Sequence, residues 1–322
     1  MLTKIRCCVT LLIGIFSLVS CGGGDADYVE NVGSYVGLTG ATDVHFTIKN
    51  ATQETLYVYN YPYEEQIATQ SITLAPSETL QLPLLTNPEM RIYFSNTPLT
   101  NTIEQGKAPD VFNYYSDATA TYSFMEYYYE PLSSRYTIDL SYIDEYSYPI
   151  TINFTNVPSG YTGCVSGFEY GFSSLAAVKE ALKQQTDYQW DALIWPAKVN
   201  TVWNSDDYPQ NMDRIIGPNK VWPSSGNWVP DSYNAFLTSL PPDGNQLFSD
   251  SNTNWGGWQV LSDKSSPSPS DTGYVKALHS VANPDENGKY GFFCYPNDNA
   301  TGEFTWVPES TSCTITIHPH DK

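Results

Sequence analysis

Hydrophobic and polar residues alternate over short runs through the first half of the chain. The runs His45-Phe-Thr-Ile-Lys and Thr55-Leu-Tyr-Val-Tyr-Asn place apolar side chains at every second position, as strands with one buried face require. Further runs of this kind begin at Ser71, Thr79, Arg91 and Ile150. Asn, Pro, Ser and Glu residues separate them, and short strands at this spacing indicate a β-sandwich or barrel.

The stretch that indicates a candidate site most clearly is residues 124–149, FMEYYYEPLSSRYTIDLSYIDEYSYP. Two runs rich in Tyr, Ile and Leu flank a Pro/Ser break, which predicts two antiparallel strands joined by a short loop. The segment contains four carboxylates: Glu126, Asp139, Asp144 and Glu145. Because acidic residues are depleted in strands, this set indicates either a solvated face or a working cleft.

The second half of the chain has a different character. Residues 174–185 predict a helix with Leu175, Val178 and Leu182 on one face and Ser173 or Ser174 as its N-cap. Seven of the eight Trp residues follow within residues 187–263, among many Gly, Pro and Asn residues. Four have small or polar neighbours and are candidate stacking platforms for sugars, with burial in the core as the alternative: Trp222, Trp228, Trp255 and Trp258.

The amino terminus predicts export. Lys4 and Arg6 precede an apolar run over residues 7–19, which is typical of a signal peptide and too short to span a membrane. Leu18-Val-Ser-Cys21 resembles a bacterial lipobox, and three glycines follow as a flexible tether. We therefore expect a lipoprotein anchored through lipidated Cys21, at the cell surface or the periplasmic face of a membrane. An ordinary signal peptide with an incidental cysteine is the alternative.

Charge and cysteine content narrow the choice of partners. The formal net charge is −20, which would repel nucleic acid and suits a neutral partner such as a glucan, although solubility alone would explain it. Three cysteines remain beyond the anchor, and we predict a Cys294–Cys313 disulfide that leaves Cys164 free. No CxxC pair or His cluster has metal-ligand spacing. We expect a monomer without metal or cofactor.

A family resemblance accompanies the acidic hairpin. The run Asp139-Leu-Ser-Tyr-Ile-Asp144-Glu-Tyr-Ser-Tyr-Pro149 resembles the thaumatin-family pattern D-[IV]-S-x-V-D-G-[FY]-N-x-P, and Phe124-Met-Glu126-Tyr resembles the F-x-E-[FY] strand before it. The arrangement is more similar to the bacterial β-1,3-glucanases of glycoside hydrolase family 64, which share that sandwich. Weaker segments at 44–50, 90–95 and 290–296 follow in the family's order.

The resemblance implies a mainly β fold and a division of the chain. A thaumatin-like β-sandwich or barrel would occupy residues 41–160, after a signal peptide at 1–20 and a tether at 21–40. A mixed, loop-rich α/β region at 161–285 would form the other wall of a cleft. Strands within 286–320 would return to the sandwich.

The resemblance also implies an activity, inverting hydrolysis of β-1,3-glucan. Glu126 matches the family's acid, Asp144 its base and Arg91 its cleft arginine. Glu145 departs from the pattern, which has Gly there, and would contact or crowd the substrate. The alternative is a non-catalytic thaumatin-like lipoprotein that binds glucan or another polysaccharide.

Strand geometry limits which carboxylate can lie close enough to Glu126 to act with it. A turn centred near residues 132–133 would place Glu126 opposite Asp139. Asp144 would then lie five residues farther along, roughly 17 Å in a flat hairpin, which is too far for a cooperating pair. A bulge, a strong twist or a bend near Pro149 would shorten that distance. Alternatively, Asp139 is itself the partner, a substrate contact or a charge that raises the pKa of the acid.

Overall fold

A computed structural model describes residues 28–29, 45–86, 89–109, 120–132, 135–142, 145–186, 190–195, 214–217, 273–293, 304–308 and 310–320. Within these ranges two large β-sheets enclose a common core, and the fold is mainly β as predicted. Most of the predicted second region, 161–285, lies outside them, so its role as a cleft wall stays a prediction.

The first sheet has six strands in the described part of the chain. Their order is β1 (Tyr28–Val29), β5 (Thr79–Pro83), β2 (His45–Asn50), β16 (Ser312–Ile317), β10 (Ile150–Thr155) and β11 (Glu169–Gly171). The carboxy-terminal strand β16 runs parallel to β2 and antiparallel to β10. A strand from the last part of the chain therefore lies beside an early strand in the middle of this sheet.

The second sheet carries the acidic hairpin. Its described strands are β14 (Phe292–Phe293), β8 (Arg135–Ser141), β7 (Tyr122–Glu130), β6 (Glu89–Ser95), β3 (Leu56–Pro62) and β4 (Ile72–Leu74), and β15 (Phe304–Val307) also pairs with β8. Strands β3, β6, β7 and β8 are antiparallel neighbours. Glu130 pairs with Arg135 across the turn, which confirms the hairpin predicted from the Pro/Ser break.

Smaller elements flank the two sheets. A three-stranded sheet contains β9 (Glu145–Tyr146), β13 (Arg214–Ile216) and β12 (Ile194–Trp195). The helix α1 (Leu175–Gln184) buries the predicted apolar face, and Ser174 caps it by accepting the N–H of Ala177. A second helix, α2, spans Gly273–Ser280. Neither α-helix of the described residues has the length and apolar character that a membrane crossing needs.

The main core lies between the two large sheets. Phe46 of β2 meets Tyr127 of β7 edge to face, with ring centroids 5.5 Å apart. The hydroxyl of Tyr127 donates to Asn60 Oδ1 at 2.9 Å and accepts the backbone N–H of Leu85 at 3.1 Å. Because these groups are buried, their hydrogen bonds replace those that water would otherwise supply.

The cysteine prediction is wrong in one respect. Cys313 and Cys164 both carry free, buried thiols, so the predicted Cys294–Cys313 disulfide is not formed. Cys313 lies on the inward side of β16 among core residues such as Ile315. Burial raises the pKa of the Cys313 thiol above its ordinary value and that of Cys164 to about 12, which makes both thiols poor nucleophiles. Cys294 lies outside the described residues.

We expect Tyr127→Phe to lower the free energy of unfolding by about 1–3 kcal/mol, because it leaves two buried polar groups without their partner. Urea unfolding followed by fluorescence measures the change. The control is Tyr129→Phe, a partly buried residue of the same strand. Equal losses in the two variants would contradict a special role for the Tyr127 hydroxyl.

Candidate active site

The face of the second sheet that points away from the main core is lined with aromatic rings. Alternate residues of a strand point to opposite faces, and on this face they form a second buried cluster. Its members are Tyr59, Tyr61, Tyr93, Leu99, Ile103, Ala120, Tyr122 and Phe124. The hydroxyl of Tyr59 accepts the backbone N–H of Leu99 at 2.7 Å, which holds the segment after β6 against this face.

Four neighbouring strands align one polar row across this aromatic face. Tyr61 of β3 pairs with Arg91 of β6, Arg91 pairs with Glu126 of β7, and Glu126 pairs with Asp139 of β8. This register confirms that Glu126 faces Asp139. Directly opposed residues have Cβ atoms about 4.5–5.5 Å apart, so a phenol, a cation and two carboxylates lie side by side.

Arg91 is held from several sides. Its Nε lies 2.8 Å from Glu126 Oε1, and its Nη2 lies 3.7 Å from Glu89 Oε1. The guanidinium carbon lies 3.5 Å from the ring centroid of Tyr63 and 4.9 Å from that of Phe124. Planar guanidinium groups favour such stacking. The two rings therefore hold the guanidinium plane beside the Glu126 carboxylate.

The two opposed carboxylates differ in exposure. The Glu126 side chain is 18% exposed, whereas Asp139 is 6% exposed. Like charges at this separation disfavour the state in which both are ionised. Glu126 is therefore the more accessible of the two carboxylates, and Asp139 lies directly across from it on β8.

Glu89 is a third carboxylate at the site, and it was missed from the sequence. Burial raises the pKa of Glu89 above its ordinary value, Arg91 opposes that rise and Glu64 adds to it. Glu89 and Arg91 are two positions apart on β6 and so share a face. That spacing was the available signal, but it identified no partner.

The chain leaves the second sheet after Ser141. Residues 147 and 148 donate their backbone N–H groups to Ser123 Oγ at 2.9 and 2.8 Å, and that hydroxyl donates to the Tyr148 carbonyl at 3.0 Å. The segment after the hairpin therefore lies against the start of β7. The estimate of roughly 17 Å assumed that the strand continues straight in a flat hairpin. Residues 147 and 148 do not follow such a continuation. Asp144 lies outside the described residues.

Glu145 is buried rather than exposed at the surface, where the predicted substrate contact would require it. Its Oε2 lies 3.0 Å from Arg214 Nη1, and each side chain is 1% exposed. The hydroxyl of Tyr122 donates to Glu145, and Arg214 also donates to the carbonyl of Ala120. Because a buried charge requires such compensation, Glu145 and Arg214 act as a clamp between β9, β13 and the start of β7. No local pattern in the sequence pointed to Arg214.

Five other predicted residues lie outside the part of the chain that the structure describes: Trp222, Trp228, Trp255, Trp258 and Cys21.

Tyr128 is 38% exposed and lies two positions from Glu126 on the same strand and face. Within the described ranges, no group of three or more His, Cys, Asp or Glu residues is arranged to hold a metal ion.

Comparison with known families gives the site its context. The profile of glycoside hydrolase family 64, described as β-1,3-glucanase, matches residues 29–234, more than half of the chain. The chain belongs to glycoside hydrolase family 64. It is therefore a glycoside hydrolase of the β-1,3-glucanase type. A search of curated protein sequences found no match.

Solved structures of other family 64 proteins are similar to this one. The laminaripentaose-producing β-1,3-glucanase of Paenibacillus barengoltzii, complexed with laminarihexaose, gives a TM-score of 0.50 at 12% identity, covering 90% of this chain and 78% of its own. That likeness shows the fold. A β-1,3-glucanase domain from Clostridium beijerinckii gives 0.41 at 12% identity, covering 87% of this chain and 99% of its own.

We expect Arg214→Met to lower the free energy of unfolding by about 3–5 kcal/mol, because it leaves the Glu145 carboxylate buried without a cation. Glu145→Gln combined with Arg214→Met should lose less, since no buried charge then remains. Urea unfolding of both single variants and the double variant measures this coupling.

The control is Arg135→Met at the exposed tip of the hairpin, with an expected loss below about 1 kcal/mol. An Arg214→Met protein as stable as this control would show that the clamp contributes little.

Proposed function

We propose that this glycoside hydrolase cleaves internal linkages of β-1,3-glucan by inversion, with Glu126 as the general acid. The observation that carries the assignment is the polar row. Glu126 is partly exposed on an aromatic face, and Arg91 Nε lies 2.8 Å from its carboxylate. Inverting glycosidases require one such acid and a second carboxylate that activates water.

The proposed reaction is a single displacement. Protonated Glu126 gives its proton to the glycosidic oxygen as the bond from C1 to that oxygen breaks. A water attacks C1 from the opposite face and loses a proton to the second carboxylate. The products are a new non-reducing chain end and a reducing sugar of inverted configuration. Glu126 ends ionised and the base ends protonated, and exchange with solvent restores both.

We assign the base to Asp144, as the family resemblance implies, and a supporting role to Asp139. Asp139 is 6% exposed and directly opposes Glu126. Opposed Cβ atoms are only about 4.5–5.5 Å apart, whereas an inverting pair needs about 6.5–9.5 Å between carboxyl groups to admit the water. A neighbour that close is better suited to keeping Glu126 protonated than to activating water.

Tyr128 supports a carbohydrate partner. Its ring is 38% exposed on the strand that carries Glu126, whereas most aromatic residues of this face are buried. Sugar rings present apolar C–H faces that pack on aromatic rings. We therefore assign Tyr128 a place at the glucan-binding surface, beside the acid.

We expect Glu126→Gln to reduce the release of reducing ends from a linear β-1,3-glucan by about 10²–10⁴-fold, the usual contribution of a general acid. Glu130→Gln is the matched control, because Glu130 lies on the same strand and face. It should retain nearly full activity.

Three results would contradict parts of this proposal. Activity that survives in Glu126→Gln would reject Glu126 as the acid while keeping the enzyme class. Retention of configuration, followed by NMR of the first products, would reject inversion. No release by the wild type, with retention on insoluble glucan, would indicate a glucan-binding protein instead.

We further propose that the protein is exported and anchored to a membrane through lipidated Cys21. The supporting observation is the lipobox-like run that ends at Cys21, after a basic and then apolar segment. Several acyl chains hold a protein at a membrane far more firmly than one.

Cys21→Ala should move the protein from the membrane fraction to the soluble fraction, because the acylated residue is lost. Fractionation, with mass spectrometry of the amino-terminal peptide, measures the outcome. An unmodified Cys21 in the wild type would reject the anchor and leave the proposed activity untouched.

A further inference from the structure

One guanidinium serves two carboxylates on the aromatic face. Arg91 contacts Glu126 Oε1 at 2.8 Å and Glu89 Oε1 at 3.7 Å. Glu89 pairs with Tyr128 across the same two strands. This pair lies two residues along the strands from the pair of Arg91 and Glu126. Glu89 and Glu126 are therefore diagonal neighbours on adjacent strands, a relation that spans about 7–8 Å.

We propose that Glu89 is a positioning residue that controls the protonation of Glu126 by competing with it for the guanidinium of Arg91. This inference rests on the proposed function, in which Glu126 is the general acid. It adds Glu89 to the carboxylates of the proposed site, as one that need not touch the substrate.

A general acid beside an arginine is in an electrostatically unfavourable position. An arginine 2.8 Å from a carboxylate favours the ionised form, yet a general acid must carry a proton. Glu89 draws on the same guanidinium and adds a negative charge nearby, and both effects favour protonated Glu126. Arg91 and Glu126 are only 14% and 18% exposed, so water screens these interactions less than at an open surface.

The other charged and titratable groups that face Arg91 and Glu126 do not reverse the effect of Glu89 on the protonation of Glu126. From β8, Asp139 adds negative charge, and from the segment after β3, Glu64 does the same. The phenols are Tyr61 and Tyr63 beside Arg91 and Tyr128 beside Glu89. Burial raises the pKa of Tyr61 to about 12, so that phenol is neutral where the enzyme would work. Among these described neighbours, Arg91 alone carries positive charge.

The partial burial of Glu89 fits this role. Its side chain is 36% exposed, so it can exchange protons with solvent. Burial raises its pKa above the ordinary value, and Glu64 adds to that rise. Protonation of Glu89 would leave Arg91 to Glu126, which makes the acid sensitive to the charge on Glu89.

The pH dependence of kcat/KM on a linear β-1,3-glucan tests the inference. The alkaline limb reports the pKa of the acid in the free enzyme, because activity is lost as that acid ionises. Glu89→Gln removes the competing charge, so Arg91 stabilises ionised Glu126 more strongly. We expect the alkaline limb to move to lower pH by about one unit, with the acidic limb unchanged.

Two further variants make the test specific. Glu89→Asp keeps the charge and should restore most of the wild-type alkaline limb. Glu130→Gln removes a carboxylate from the same face four positions beyond Glu126 and should leave the profile unchanged, because screening is strong beyond about 8–10 Å.

The outcomes separate this inference from the proposed function. An active wild type, an inactive Glu126→Gln protein and a Glu89→Gln profile that overlays the wild type would overturn the role of Glu89 alone. A shift shared equally by Glu130→Gln would overturn it as well. A wild-type protein that releases no reducing ends would overturn the proposed function and this inference with it.

Discussion

The antiparallel register of β6, β7 and β8 is the constraint on which the rest of the structure depends. In this register Ile92, Met125 and Leu140 point into the core between the sheets, while Arg91, Glu126 and Asp139 point to the opposite face. A slip of one residue in β7 would exchange the faces of every side chain on that strand. It would bury Glu126 among apolar residues and expose Met125. The same hydrophobic burial that holds the sandwich together therefore also aligns the polar row.

Two arginines have different physical roles: Arg91 of the second sheet and Arg214 of the three-stranded sheet. Arg214 and Glu145 are each 1% exposed, and they form further hydrogen bonds with Tyr122 and Ala120. A pair buried to this extent has little capacity to respond to solvent or substrate. Arg91 instead lies at the edge of solvent and contacts the carboxylates of both Glu126 and Glu89. Proton exchange belongs at the second kind of site, since its charge balance can change at small cost.

Much of the local structure could be predicted from the sequence. The alternation in residues 45–50 and 56–62 identified strands, because the side-chain period is a local property. A serine cap at Ser173 or Ser174, of which the structure shows Ser174, and the turn that opposes Glu126 to Asp139 also followed from neighbouring residues. Glu126 and Arg91 stood out from composition and family resemblance. The contact between them required the pairing register of β6 and β7, because the two residues lie 35 positions apart (126 − 91).

The sequence by itself determined the strands, the hairpin, the helix and the residues of the acidic set. Tertiary structure alone decided that Glu145 pairs with Arg214, 69 positions away. It also decided that Cys313 is buried with a free thiol and that Glu89 shares Arg91 with Glu126. The physical reason is that propensity and periodicity act between residues a few positions apart. Burial, charge pairing and the sharing of one cation arise only when distant segments pack together.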